Sequence, residues 1–191
     1  MKRLLTMIAL ACAIAAPAAA APKDPGKPDM YGNDPHWVKD VLYKCVVYTS
    51  RPDPKAFVRW YGKCVNGVAE GQGSMVWYVN NRYAAKYEGP VVKGARHGRG
   101  TYWAASGDRF TVEWVFGVPH GAGTWVYADG SRLEARFYDG EARGFVTYAM
   151  ADGGYYSGDA NGAGEIRYQD GRKVQAKMAF ANYRKPVVTP D

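Results

Sequence analysis

The sequence predicts an all-β chain, an elongated single-layer antiparallel β-meander of about five hairpin repeats capped by an N-terminal strand. Three observations predict it. The glycine pattern G-x-x-x-G-x-G recurs at Gly67/Gly71/Gly73, Gly94/Gly98/Gly100, Gly117/Gly121/Gly123 and Gly158/Gly162/Gly164, with a degenerate copy at Gly140/Gly144/Val146. Behind each pattern polar and apolar residues alternate with period two, as in a half-buried strand. Pairs such as Asp129-Gly130 and Asp170-Gly171 mark hairpin turns, with Ser106-Gly107, Asp152-Gly153 and the weaker Asn80-Asn81 in the corresponding places.

The elements follow in chain order. Lys2 and Arg3 precede an apolar run from Leu4 to Ala16, and Ala18-Ala19-Ala20 supplies small residues, so residues 1–20 are expected to be a signal peptide cut after Ala20. The run falls short of the roughly 20 apolar residues of a membrane-spanning helix. No transmembrane anchor is therefore expected after signal removal. Leu10-Ala11-Cys12 matches a lipidation box only vaguely, because the apolar run continues past Cys12. The expected localisation is periplasmic or secreted.

Residues 21–35 hold four prolines and two glycines and read as a linker. Residues 36–57 form the expected capping segment. Asp34-Pro35 could start a short helical turn carrying Trp37, Val38, Val41 and Leu42, and a strand is favoured around Cys45 to Tyr48. With Cys12 removed, Cys45 and Cys64 are the remaining pair, and in an oxidising compartment a disulfide is expected. It would close a hairpin across the Ser50 to Lys55 loop. Two cysteines without a nearby histidine cannot complete a four-ligand zinc site, and neither metal nor cofactor is expected.

Residues 58–180 carry the repeats. Successive middle glycines lie 27, 23, 23 and 18 residues apart. Two residues after each pattern stand Met75, Tyr102, Trp125, Tyr148 and Ile166, and beyond the turns the apolar sets are Phe110/Val112/Trp114, Leu133/Ala135/Phe137 and Val174/Ala176/Met178. The residues between them are largely charged. Pairing Tyr87 with Tyr102 sets Gly89 opposite Gly100, and the same offset sets Gly62 opposite Gly73. Each glycine pair leaves room for an aromatic ring to lie flat over the backbone. Five two-strand units and one capping strand predict about eleven strands, roughly 50 Å along the stacking axis at ~4.8 Å each.

The segment Y-E-G-P-V-V-K-G-A-R-H-G-R-G-T-Y, from Tyr87 to Tyr102, resembles the MORN repeat. Trp60-Tyr61-Gly62 and Tyr156-Ser157-Gly158 are similar to its Y-x-G start, whereas Phe110-Thr111-Val112 and Leu133-Glu134-Ala135 depart from it. The resemblance runs over about residues 58–178 and identifies a MORN-repeat protein of secreted bacterial type. It implies a twisted antiparallel sheet used as a scaffold or docking platform, with lipid binding as a further role.

Candidate chemistry does not repeat with the fold. His97 and His120 occupy the position held elsewhere by Glu70, Arg143 and Asn161, which is a turn role, and His36 has no evident partner for nucleophilic catalysis. Glu113, Glu134 and Glu165 read as cross-strand partners of neighbouring arginines. No enzyme is predicted. The full chain carries +7, and without the signal 23 basic residues against 18 acidic leave +5, too dilute for a nucleic-acid footprint.

The expected function is a non-enzymatic scaffold binding a protein partner in the cell envelope. The alternative is a surface binder for anionic lipid, lipopolysaccharide or glycan, supported by the charge of the C-terminal stretch that ends in the basic tail at 181–191, where Arg167 to Asp191 holds six basic residues against Asp170 and Asp191. Expected partner-binding residues on the aromatic-rich face are Tyr87, Tyr102, Trp125 and Tyr148. In the fifth copy the spacing from Gly158 to Gly162 is five residues shorter than in the others, which predicts a lost loop and a notch. Tyr156, Tyr168, Arg167, Arg172 and Lys173 flank that notch and complete the candidate set.

Overall fold

The computed structural model describes residues 23–28, 34–40, 42, 45–180 and 184–191. The signal peptide and part of the linker lie outside them. Among the described residues there are fifteen strands and no helix. The N-terminal segment forms β1 (Trp37–Lys39) and β2 (Val46–Tyr48), and the first copy forms β3 (Ala56–Val65), β4 (Val68–Val79) and β5 (Arg82–Val92). The second copy adds β6 (Ala95–Arg96), β7 (Gly98–Ala104) and β8 (Arg109–Val115). Then come β9 (Val118–Val126), β10 (Arg132–Tyr138), β11 (Glu141–Ala149), β12 (Tyr155–Asp159), β13 (Ala163–Arg167), β14 (Lys173–Ala179) and β15 (Val187–Pro190). From β7 to β15 every strand pairs antiparallel with its neighbour in sequence, so the predicted meander is what forms.

The strand count exceeds the expected eleven by β1, β3, β6 and β15. Asp34 to Lys39 forms a turn and then a strand, not the considered helical turn, because β1 pairs with β2 from Trp37↔Tyr48 to Lys39↔Val46. The end of the basic tail likewise becomes β15, paired with β14 from Ala179↔Val187 to Ala176↔Pro190.

The nine-residue spacing before each middle glycine is an arm and not a loop. Beyond a register shift, each hairpin continues as a short ladder closed by a two-residue turn with both residues at positive φ: Asn66-Gly67, Lys93-Gly94, Phe116-Gly117 and Asp139-Gly140. Such turns match the right-handed twist of their strands. The arms also hydrogen-bond to one another. The Gly94 N–H donates to the Ala69 carbonyl, Gly117 to Arg96 and Gly140 to Pro119, at 3.0, 2.8 and 2.9 Å. The fifth hairpin, β12 to β13, has no arm.

Cys45 and Cys64 are bridged, with Cα atoms 5.9 Å apart. The expected hairpin between their strands does not form. β3 pairs with β4, and β2 meets β4 in parallel at Val46↔Val68. The N-terminal segment instead crosses the arm turns: the Val46 and Tyr48 N–H groups donate to the Gly67 and Gly94 carbonyls at 2.8 Å. The disulfide fastens this cross-piece to the first arm.

The core is one cluster on the apolar face, running from Trp60 and Met75 through Tyr87, Phe110 and Phe137 to Tyr156 and Met178. The glycine pairing is as the pattern predicts, with Gly62↔Gly73 in register. A Cβ on Gly73 would lie 2.2 Å from the Trp60 ring, and one on Gly100 2.4 Å from Tyr87. Each flat aromatic then reaches a carbonyl three residues on. Trp60 Nε1 donates to Lys63 O, and the Tyr87 and Tyr156 hydroxyls donate to Pro90 O and Asp159 O, all at 2.9 Å.

Candidate partner-binding site

On the apolar face four further rings border a cleft of 330 Å³. Trp77, Tyr102, Trp114 and Trp125 supply its aromatic lining. Trp77 and Tyr102 are half-buried, whereas Trp114 and Trp125 are buried. The far wall is Thr49, Ser50, Arg51, Asp53 and Ala56, the chain that leaves the arm turns and returns to the sheet.

Arg96 provides the charge. Its guanidinium carbon sits 4.1 Å from the Trp114 ring centroid and 5.7 Å from that of Tyr102, and Nη2 donates to Gly117 O at 2.9 Å. A guanidinium over an aromatic face is attracted by the ring quadrupole. Burial pushes the Tyr102 hydroxyl above its ordinary value, and nearby Arg96 and Arg51 offset this only in part. The hydroxyl is therefore neutral and the rim positively charged.

The sequence-derived candidates divide by environment. Tyr102 and Trp125 line the cleft, and Tyr148 lines a second cleft of 290 Å³ with Met150, Asp152, Lys185 and Val188. Tyr87 and Tyr156 are fully buried beneath their glycine pairs. Arg172 pairs with Asp170 and stacks on Tyr168 at 4.8 Å, and Lys173 and Arg167 both meet Glu165. The notch is filled: Asn161 Oδ1 accepts from the Phe180 N–H at 2.8 Å, and Gly162 O from Met178 at 3.0 Å.

Sequence reasoning missed Trp77, Trp114 and Arg96 as cleft residues. A local signal was present. Trp60, Tyr87 and Tyr156 are each followed two residues later by glycine and lie over it, whereas Trp77, Tyr102 and Trp125 are followed by Val79, Ala104 and Tyr127 and line the cleft.

The other candidate groups have structural partners. His97 tilts onto Phe116 and His120 onto Tyr138, at ring separations of 4.9 and 5.5 Å. Glu113 faces Arg99 across strands at 3.8 Å, while Glu134 pairs with Arg132 along its own strand at 2.6 Å. Among the described residues, no group of three His, Cys, Asp or Glu side chains could hold a metal ion, and no helix is long and apolar enough to cross a membrane.

Fold and site together define a β-hairpin repeat scaffold carrying an aromatic cleft. Residues 65–82, 87–109 and 113–132 match the family model of the MORN repeat. The match takes in the first three arm turns and stops before the arm of the Val146 copy and the armless fifth hairpin. The MORN repeat is generally a non-catalytic module. No curated protein matches the chain.

Proposed function

We propose that this chain is a non-enzymatic scaffold of the periplasm or the secreted space that holds a protein partner in the aromatic cleft. The carrying observation is the cleft of 330 Å³ lined by Trp77, Tyr102, Trp114 and Trp125. The apolar N-terminal run and the Cys45–Cys64 bridge support the location. Photo-crosslinking from residue 84, beside the cleft, in an envelope extract should capture a partner, and Trp77→Ala with Tyr102→Ala should abolish capture. Undiminished capture by the folded double variant would remove the cleft from the reading.

A second reading, binding to an anionic envelope surface, is favoured by the opposite face. Arg59, Lys86, Arg109, Arg132, Arg167 and Lys173 fall in one row across the strands. Four of the six are paired with Glu88, Glu134 or Glu165, which weakens the row. Co-sedimentation with anionic vesicles that falls with salt would support it, and failure of Arg59→Glu with Arg109→Glu to reduce that binding would count against it.

A further inference from the structure

The two faces of the sheet are used differently. On the apolar face the chain packs on itself: Phe180, directly after β14, is buried with its ring 6.1 Å from Trp125 and 6.2 Å from Phe137. Farther on, Lys185 pairs with Asp129 and Val188 packs against the same cluster. The charged face is patterned instead. Arg59, Lys86, Arg109 and Arg132 stand in one file on β3, β5, β8 and β10, and the register places Val76, Trp103 and Val126 on the strands between. Every second strand carries a cation and every other one an uncharged residue.

Beside it runs a second file of hydrogen-bonding groups. Glu88, Thr101, Thr111, Thr124 and Glu134 follow one another in register from β5 to β10, with the Thr101 and Thr111 hydroxyl oxygens 2.9 Å apart. The files interlock. Lys86 pairs with Glu88 and Arg132 with Glu134, so these two cations are engaged and fix carboxylates in place. The other two are not so engaged. Arg109 is exposed, and among the described residues neither it nor Arg59 forms a salt bridge. Arg59 stacks on Tyr78 at 5.5 Å, a contact that uses the flat of the guanidinium while its donors lie in the plane.

We propose that the charged face binds a linear acidic glycan lying across the strands, its carboxylates on Arg59 and Arg109 and its hydroxyls along the threonine and glutamate file. The proposal rests on the second reading above, an anionic envelope surface, and names its occupant. Three features favour a sugar chain over a lipid layer. Cations two strands apart recur every ~9.6 Å, close to the length of a disaccharide unit in an extended chain, so Arg59 and Arg109 lie two such units apart. Carboxylates held by Lys86 and Arg132, alternating with threonine hydroxyls, hydrogen-bond sugar hydroxyls, whereas a headgroup layer calls for cations alone. The sheet also twists: at ~20° per strand the file turns by roughly 120° between Arg59 and Arg132. A planar membrane meets only part of such a file, and a flexible chain follows it. Carboxylates on guanidinium groups supply the charge-assisted contacts.

The test uses the chain without residues 1–20 and calorimetric titration with hyaluronan tetrasaccharide and octasaccharide, in which a carboxylate recurs at every second sugar. A polygalacturonate pair of the same lengths guards against a mismatch of sugar stereochemistry, and a dextran octasaccharide is the neutral control. Only the longer acidic chains reach both arginines, so in at least one series the octasaccharide should bind about tenfold or more tighter than the tetrasaccharide, and it should weaken with salt. Arg109→Gln should bring the octasaccharide down to the tetrasaccharide's affinity, and Arg59→Gln should do the same; thermal unfolding checks that both variants fold. Equal affinity at both lengths, dextran binding as tightly, indifference to both variants, or no binding in either series overturns the proposal. If phosphatidylglycerol vesicles bind through the same arginines while both octasaccharides fail, the anionic-surface reading stands and only the glycan is discarded.

Discussion

In the second copy the Tyr87 ring lies over Gly89 and Gly100 and its hydroxyl reaches the Pro90 carbonyl, whereas in the third Phe110 stands at the matching place, stacked on Trp125 at 4.5 Å, with Val112 opposite Gly123. The strand pairing does not register the change, although Gly89 holds φ +155° where Val112 is not at positive φ. Tyr87↔Tyr102 and Phe110↔Trp125 are equivalent pairs, and both copies keep the arm turn and the positive-φ glycine after it, Gly98 or Gly121. Turns and register shifts thus set the hairpin, and the glycine pair is required only where a ring is folded down onto it.

Four predictions can break or sharpen that comparison. The largest effect is expected from Gly100→Val, which drives side-chain atoms into the Tyr87 ring and should destabilise by about 3 kcal/mol in denaturant unfolding. Much of that cost should vanish in a Tyr87→Ala background, since the two sites share one volume. The fourth copy already carries Val146 at this position. Additive costs in the double variant would show that the glycine serves the backbone after all.

Next in size is Cys45→Ser with Cys64→Ser, which should cost ~2 to 4 kcal/mol. The loss should also loosen the Ser50–Asp53 wall of the cleft, and reduction of the wild type by thiol reagent should do the same.

Tyr87→Phe converts the second copy toward the third. It removes the bond to Pro90 O and should cost about 1 kcal/mol, with the glycine pair still needed. A neutral result would mean that the His97 N–H, which already donates to Pro90 O at 3.0 Å, satisfies the carbonyl by itself.

The smallest effect concerns the docked tail. Lys185 beside Asp129, helped by Ser131, holds that carboxyl below the usual carboxylate range. A depressed value contributes above the unfolded carboxylate pKa, near ~3.9, and is lost as pH falls through the lower folded value. Trp125 fluorescence, which senses Phe180, should therefore be flat from neutral pH down to mild acid and shift only below the carboxylate range. Lys185→Ala should abolish that acid step.

The repeat, the strand alternation and the glycine pairing were legible because each is written in local spacing, and the disulfide because Cys45 and Cys64 are the pair left once Cys12 is set aside. The arms were not: Lys93-Gly94 and Phe116-Gly117 carry a non-glycine residue at positive φ that no turn signature marks, so their spacing reads as loop. The cleft was half legible. Tyr102 and Trp125 follow from the alternation, but the wall of Thr49 to Ala56 is placed by Val46 and Tyr48 hydrogen-bonding to residues 21 to 46 positions away, and nothing in the intervening sequence announces it. Phe180 continues the alternation of Val174, Ala176 and Met178, but its seat against Trp125 and Phe137, on strands far from β14 in the sheet order, is not written in that alternation.

The hydrogen bonds between successive arms act as a phase lock. Gly67, Gly94, Gly117 and Gly140 are stacked at one margin of the sheet whatever the length of the hairpin between them, 27 residues in the first interval and 23 in the next two. The four extra residues of the first interval appear at the opposite margin, where Met75 and Tyr87 are twelve positions apart while Tyr102 and Phe110 are eight. Length drift is exported to the Asn80-Asn81 side. A tag or reporter loop inserted there should leave every later hairpin in phase, whereas a single residue added to an arm would throw the whole downstream stack out of step.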